Sequence, residues 1–357
     1  MDFSGRDKMK RSKVKGIQVR PRKSVSKLLE DMAQTGYQGR SLARAAEIIE
    51  KMVKDKKATI MLGYAGSLST AGQWTLINWM IEKGFVDVLV PTGANISEDI
   101  VEAMGFTYYQ GSHVTDDTKV FKEGYNRYYD VYGSEKDYMK MTTMIADFIM
   151  TLDESHKYSS RELLHLFGKW LGKKKIKSIV ATAAKHNVPV FCPAIVDSPY
   201  GDAALVARSH GFDLTIDNVK DYVEFMQLGS HVKNTAVIYI GGGVPKDFIQ
   251  LFAVTGDLMY QDRKVPNRPG GIQRMNDLAE TYYPHTYAVQ ITADAPQWGG
   301  LSGCTFEEAV TWGKETKSGD FSQCYCDATI ALPIITQALA ERVKGKRTNR
   351  QFSKLFT

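Results

Sequence analysis

The sequence predicts a single large α/β domain built on a parallel sheet flanked by helices, with further helices added to it. Short apolar segments recur along the chain, small-residue loops follow several of them, and helical patterns follow the loops. This order is typical of parallel βαβ units, in which helices cover both faces of a buried sheet. The 357 residues, 43% of them hydrophobic, are enough for one such domain with a sizeable core.

The predicted strands share a composition rich in β-branched and other apolar residues, and most are bounded by glycine, proline or polar residues. They lie at residues 59–62, 86–90, 188–192, 212–216, 235–240, 287–291 and 322–326.

Helical spacing of apolar residues predicts the intervening helices. We expect helices within 25–54, with a break at Gly36 and Gly39, then at 73–83, and from Asp327 to about 343. Residues 104–175 are aromatic and charged, and we interpret them as an insertion packed against the sheet. Within it, helices are predicted around 138–152 and 159–171.

Basic residues are concentrated at the N-terminal end, where nine lysines and arginines lie between Arg6 and Lys23. Such a run can bind nucleic acid or an acidic partner, but we favour a flexible solvated arm at 1–23 and expect no nucleic acid. The main domain then spans 24–345, and a basic, frayed tail spans 346–357. A polar surface loop is predicted at 261–271.

Composition argues against a membrane protein and against a metal site. No apolar stretch approaches the ~20 residues of a membrane span, so we expect a cytoplasmic protein. Cys324 and Cys326 are separated by one residue, unlike a C-x-x-C site, and the seven histidines show no ligand spacing. Reduced thiols and no metal are expected.

The loops after the predicted strands are candidate ligand sites. Residues 63–72, 91–99, 193–202 and 241–247 are rich in small residues, and the last three of these segments also contain carboxylates. Loops at the carboxyl ends of parallel strands bind ligands, and small residues let backbone N–H groups approach phosphates. None of these loops is a G-x-G-x-x-G or a P-loop motif, so tight turns without a ligand are the alternative.

A candidate nucleophile lies in the segment 307–314, E-E-A-V-T-W-G-K, just after the glycine-rich run at 298–303. A lysine in an aromatic, partly dry pocket can lose its proton and act as an amine nucleophile. From this segment alone, a solvated surface charge at Lys314 is the alternative.

Taken together, these segments resemble the deoxyhypusine synthase family. The segment E-A-V-T-W-G-K at 308–314 is highly specific to that family, and the resemblance extends from about residue 18 to about residue 343. The other matching segments are 62–64, 90–94, Asp197 with Gly201 and Asp202, 240–244 and 302–303. The pattern matches the bacterial and archaeal branch.

The resemblance implies a Rossmann-like fold, a homotetramer, and sites shared between two subunits. It also implies transfer of a 4-aminobutyl group from spermidine to an amine. A hydride passes from spermidine to NAD, and the resulting imine is transferred to Lys314 with loss of diaminopropane. The acceptor amine then displaces the lysine, and the same hydride reduces the product.

The resemblance also assigns residues. Lys314 is the imine-forming nucleophile, and the polyamine is bound by Asp202, Glu308 and Trp312. The positions that match NAD-binding residues of the family are Gly66, Ser67, Leu68, Ser69, Thr70, Thr92, Gly93, Ala94, Glu98, Asp197, Gly242, Ser302, Asp327 and Ala328.

Four positions of the expected polyamine wall depart from the animal and fungal pattern. Asp247 replaces a histidine, Leu251 an asparagine, Gln290 a tyrosine and Leu301 an aspartate. Our hypothesis is that Asp247 takes over the ammonium contact of the lost aspartate. The acceptor is then either a lysine of the hypusine-bearing translation factor, which we favour, or putrescine, giving homospermidine. An inactive partner subunit and a plain dehydrogenase are disfavoured, because Lys314 and the NAD loops are present.

Overall fold

The computed structural model describes residues 12–232, 234–255 and 284–356. Four basic residues of the predicted arm (Arg6, Lys8, Lys10 and Arg11) and the predicted surface loop at 261–271 lie outside these ranges. Within them, no helix is both long enough and apolar enough to cross a bilayer.

The strands of the described residues belong to three sheets. They are β1 (Ala58–Tyr64), β2 (Val88–Pro91), β3 (Tyr108–Gln110), β4 (Tyr125–Tyr128), β5 (Val131–Ser134), β6 (Lys157–Tyr158), β7 (Thr215–Ile216), β8 (Asn234–Ile240), β9 (His285–Thr292) and β10 (Glu315–Tyr325). The centre of the fold is a five-stranded sheet in the order β10-β9-β8-β1-β2, in which every neighbouring pair is parallel. A three-stranded antiparallel sheet and a two-stranded parallel sheet lie outside it.

Helices flank the central sheet. They are α1 (Val25–Met32), α2 (Tyr37–Lys54), α3 (Trp74–Glu82), α4 (Glu98–Ala103), α5 (Asp117–Lys122), α6 (Glu135–Ile149), α7 (Ser160–Lys173), α8 (Ile179–Lys185), α9 (Pro199–Ser209), α10 (Asn218–Gln227), α11 (Gly243–Thr255), α12 (Phe306–Thr311) and α13 (Ala328–Arg342).

The central strands are buried on both faces, which explains their nearly continuous apolar sequences. Side chains alternate along a strand, so β8 contributes Ile238 and Ile240 to one core and Val237 and Tyr239 to the other. The first core includes residues of α2, α3 and α13, and the second includes residues of α10 and α11. The predicted α/β class with a parallel sheet is confirmed.

Two predicted strands are wrong or much shorter than expected. Residues 188–192 form one parallel bridge, between Val190 and Leu89, and no strand. Pro189 and Pro193 flank this bridge, and a proline has no N–H to donate to a ladder. The segment at 212–216 contains only the two residues of β7. The other five predicted strands are present.

The insertion contains the predicted helices, as α6 and α7, and also a small sheet that the sequence reading missed. Its strands β3, β5 and β4 pair antiparallel. In the N-terminal helical region, Gly36 caps α2, whereas Gly39 lies inside this helix and does not break it.

The C-terminal residues are packed against the domain and not frayed as expected. Arg347 donates to both carboxylate oxygens of the fully buried Asp87, just before β2, at 3.0 and 2.9 Å. The chain passes so close to Gly84 that a Cβ there would lie 1.9 Å from the Arg347 carbonyl oxygen. Phe352 is buried in the core. The charge of Asp87 therefore requires an ordered tail.

Replacing Arg347 with Met should lower the free energy of unfolding by about 3–5 kcal/mol, because Asp87 would remain buried without its cation. Urea unfolding measures this change. The neighbouring exposed Lys346→Met is the matched control and should change stability by less than about 0.5 kcal/mol. Equal effects of the two substitutions would show that the buried pair does not hold the tail.

Candidate active site

The carboxyl ends of the central strands lie at one edge of the sheet, because all five strands run in the same direction. The predicted cofactor residues follow these ends. Residues 66–70 follow β1, Thr92 to Glu98 follow β2, Gly242 follows β8, Ser302 follows β9, and Asp327 with Ala328 follows β10. The geometry therefore brings these loops to a single edge, as expected for a ligand site of a parallel sheet.

Asn95 organises the loops after β1 and β2. It is fully buried, and its amide nitrogen donates to the Gly66 carbonyl and to Thr92 Oγ1, both at 2.8 Å. Its side-chain oxygen accepts from the backbone N–H of Leu68 at 2.8 Å. The sequence analysis did not select Asn95, although it lies between Thr92 and Glu98, because an asparagine in a loop is most often a turn residue.

Glu98 is buried at the start of α4, and Ser67 Oγ donates to its carboxylate. Burial raises the pKa of Glu98 to about 7, although the hydrogen bond from Ser67 opposes this rise. Thr70 and Ser67 are also within hydrogen-bond distance. The result is a small hydroxyl-lined site around one carboxyl group.

Asp202 lies in the first turn of α9. Tyr138 lies near both Asp202 and Glu98, since burial and then the charges of these two residues raise its pKa. Gly93 packs against the start of the same helix, where a Cβ would lie 2.2 Å from Ser198 Oγ. Asp197 precedes this helix and is exposed. Glu98 and Asp202 form what we call the carboxylate cluster.

The glycines after β8 allow a close approach between two loops. A Cβ on Gly242 would lie 2.4 Å from Ser302 Cα, so only glycine fits there. At the far end of the edge, Asp327 caps α13 and accepts from the backbone N–H of Thr329 at 2.7 Å.

Lys314 lies in a pocket of about 410 Å³ between α11, α12 and the loop after β9. We call it the lysine pocket. Its polar lining comprises Lys314, Asp247, Glu308, Cys304 and Thr255, and its apolar lining includes Leu251, Val254, Leu301 and Trp312.

The Lys314 ammonium pairs with Asp247 inside this pocket, with Nζ 3.0 Å from Oδ1. It also lies 5.4 Å from the centre of the Trp312 ring, within range of a cation–π contact. The residue is buried, which excludes the alternative of a solvated surface lysine.

A second lysine, Lys246, lies behind the pocket and was missed by the sequence analysis. It is 1% exposed, and its Nζ donates to Gln290 Oε1 at 3.0 Å and to the carbonyls of Leu301 and Cys304 at 3.1 and 2.7 Å. Burial lowers its pKa to about 8. The three acceptors match the three N–H donors of an ammonium group. Lys246 therefore binds the loop after β9 as a cation at neutral pH.

Gln290 does not line the lysine pocket, contrary to our expectation for the polyamine wall. It is fully buried, and its amide nitrogen donates to the carbonyls of Gly241 and Ser302, each at 2.8 Å. Its oxygen accepts from Lys246 and from Gln323 at 2.8 Å. The Gln290 side chain thus joins two loops and also accepts a hydrogen bond from Lys246. Asp247, Leu251 and Leu301 do line the pocket.

Within the part of the chain that the structure describes, the predicted site residues form two groups. Asp247, Glu308, Trp312 and Lys314 meet in the lysine pocket. Asp202, the remaining predicted polyamine ligand, is absent from its lining and lies in the carboxylate cluster.

Comparison with known proteins identifies the family to which this arrangement belongs. The profile described as deoxyhypusine synthase matches residues 27–339, most of the chain. The chain belongs to the deoxyhypusine synthase family. This confirms the resemblance and the expected enzyme class, an aminobutyltransferase.

Archaeal and bacterial relatives match over nearly the whole chain. A probable deoxyhypusine synthase 2 of Methanosarcina mazei is 42% identical over 340 residues, covering 94% of this chain and 92% of the relative. A protein of the same description from Archaeoglobus fulgidus is 41% identical over 308 residues, covering 86% and 95%. A deoxyhypusine synthase-like protein of Chlorobaculum tepidum is 36% identical over 317 residues, covering 87% and 85%.

A solved structure supports the fold. An Entamoeba histolytica protein assigned as a deoxyhypusine synthase superposes with a TM-score of 0.61 at 18% identity, covering 94% of this chain and 98% of the other.

Lys246→Met should change how stability depends on pH. The folded state gives up the Lys246 proton near pH 8 and the unfolded state near pH 10.4, so this residue makes stability rise with pH between those values. The variant lacks this rise. Between pH 7.5 and pH 10, the unfolding free energy of wild type should therefore rise by up to about 3 kcal/mol relative to that of the variant. The prediction is wrong if the unfolding free energies of the two proteins, measured with urea, change with pH in parallel.

Proposed function

We propose that the protein transfers a 4-aminobutyl group from spermidine to an amine, with NAD as cofactor and Lys314 as the imine-forming nucleophile. The observation that carries the proposal is the setting of Lys314, a buried lysine beside Asp247 and Trp312 in a pocket that also contains Glu308. Carboxylates and an aromatic face are suited to bind the ammonium groups of a polyamine.

The edge of the sheet at the carboxyl ends of the central strands is suited to bind a dinucleotide. A Cβ on Gly66 would meet no atom within 4 Å, so the loop after β1 leaves open space at the carboxyl end of the sheet. Ser67, Thr70 and Glu98 offer hydroxyl and carboxyl groups next to this space. In our proposal these residues and Thr92, Gly242, Ser302 and Asp327 hold NAD, which when bound accepts and returns a hydride.

Within the lysine pocket, each side chain has a distinct role in the proposal. Glu308 and Asp247 bind ammonium groups of the polyamine, and Trp312 covers its chain. Leu251 and Leu301 give the wall an apolar surface that suits a methylene chain. Lys314 attacks the imine carbon of the oxidised polyamine with its amine, and diaminopropane leaves as the enzyme-lysine imine forms. The acceptor amine then attacks this imine, takes the four-carbon group and releases Lys314.

The favoured acceptor is the lysine of the hypusine-bearing translation factor, since this is the reaction that names the family. Putrescine is the second candidate. The observation that favours putrescine is the replacement of pocket residues of the animal and fungal enzymes by Asp247, Leu251 and Leu301, which line the described pocket.

A homotetramer with shared sites is part of the proposal. Asp202 does not line the pocket that contains Lys314, yet both residues are expected to bind the same polyamine. Two copies that place the carboxylate cluster of one against the lysine pocket of the other would complete the site.

Substituting Lys314 should abolish transfer. With spermidine and NAD present, Lys314→Ala should lower turnover on the order of 10³-fold or more, because no amine remains to form the imine. Lys314→Arg keeps the cation beside Asp247 but is not an amine nucleophile, so it should be equally inactive. Mass spectrometry of reactions with putrescine or the translation factor identifies the acceptor. Full turnover by Lys314→Ala would refute the mechanism.

Mixed oligomers test the shared site. Asp202→Asn and Lys314→Ala should each be inactive alone, but co-expressed with different tags and purified together they should recover activity. In a symmetric pair of shared sites, one site of each mixed pair is intact, so about half of wild-type activity is expected. If mixed oligomers of confirmed composition stay inactive, each site is built within one chain.

A further inference from the structure

The two members of the Lys314–Asp247 pair differ in exposure. The Lys314 side chain is 11% exposed, whereas the Asp247 side chain is 40% exposed. Both line the same pocket, so a cation entering from solvent meets the Asp247 carboxylate more readily than it meets the Lys314 amine. Lys314 is therefore bound to a partner that a ligand can reach.

The other ionisable groups near Lys314 do not replace Asp247. Glu315 is fully buried, and this burial raises its pKa well above the usual range and disfavours its charged form. Burial lowers the pKa of His285 to about 3, so it is neutral. Lys246 is a cation close enough to interact unfavourably with Lys314. Glu308 lies at the exposed side of the pocket.

Because of these charges, the protonation of Lys314 depends on which cation the Asp247 carboxylate binds. While Asp247 holds Lys314, an ammonium is stabilised next to Lys246. When Asp247 engages another cation, Lys314 faces like charges from Lys246 and from the ligand, and such repulsion favours the neutral amine.

We propose that Asp247 is a cation-exchange switch: it holds Lys314 as an unreactive ammonium in the free protein, and an ammonium group of the substrate displaces Lys314 and releases a nucleophilic amine. This inference rests on the proposed function only in taking the substrate to be an amine cation. Trp312, 5.4 Å from Lys314 Nζ, offers the arriving cation a second contact.

The exchange requires one proton transfer and no oxidant. One N–H bond of Lys314 breaks, its proton passes to water at the open side of the pocket, and the electron pair stays on nitrogen. The substrate ammonium takes the place of the Lys314 ammonium beside Asp247. The lone pair of Lys314 is then available to form a carbon–nitrogen bond.

Reductive methylation tests the switch without NAD and without transfer. Formaldehyde with cyanoborohydride methylates neutral amines, and peptide mass spectrometry gives the rate at Lys314. The probe cation is 1,4-bis(trimethylammonio)butane, which has no N–H and does not react. We expect slow methylation of wild-type Lys314 and an acceleration on the order of tenfold when the probe is added.

The variants isolate the role of Asp247. Asp247→Asn should be methylated fast at Lys314 without the probe and should not respond to it. Asp247→Glu should restore the slow, probe-dependent behaviour. The matched control is Glu307→Gln, which removes an exposed carboxylate of α12 outside the pocket and should behave as wild type.

The proposal is overturned if wild-type Lys314 reacts as fast as in Asp247→Asn, or if the probe slows the reaction in both proteins. Transfer is assayed separately on the same samples. The expected methylation pattern without spermidine transfer would refute the proposed function and support the switch. Transfer without the expected pattern would refute the switch alone.

Discussion

The buried ammonium group of Lys246 links the elements that form the candidate active site. Lys246 binds the loop after β9 through the carbonyls of Leu301 and Cys304, and it binds β9 itself through Gln290. Burying this charge is unfavourable, and the three hydrogen bonds offset part of that cost. Because Asp247 is the next residue, the same bonds fix the position of the carboxylate that pairs with Lys314. The lysine pocket thus depends on a cation that does not line it.

The parallel sheet imposes the second constraint. Its strand ends place the hydroxyl-lined loops and the carboxylate cluster at one edge, while α11 and α12 form the lysine pocket. A single described chain therefore contains the two halves of the proposed site but does not bring Asp202 to Lys314. Assembly of several copies is the simplest way to join them, and it would link activity to oligomeric state.

The sequence predicted the parallel sheet, five of its strands and several of the residues that line the lysine pocket, because apolar segments and a family-specific motif are local signals. It did not predict the roles of Lys246, Gln290 and Asn95. Each of these side chains acts through partners distant in sequence, and a lone lysine or amide gives no sign of burial. The ordered tail was missed for the same reason, since Arg347 pairs with Asp87 far earlier in the chain. The segment at 188–192 is apolar like a strand, but Pro189 and the adjacent Pro193 lack an N–H donor, and the segment forms a single bridge.

Covalent trapping of the enzyme tests the central claim most directly. The protein would be incubated with spermidine and NAD in the absence of acceptor, reduced with borohydride, digested and sequenced by mass spectrometry. Our account predicts a four-carbon amine adduct on Lys314, formed only when both compounds are present. An adduct on Lys246 or another lysine, or active turnover with no trapped adduct, would contradict it.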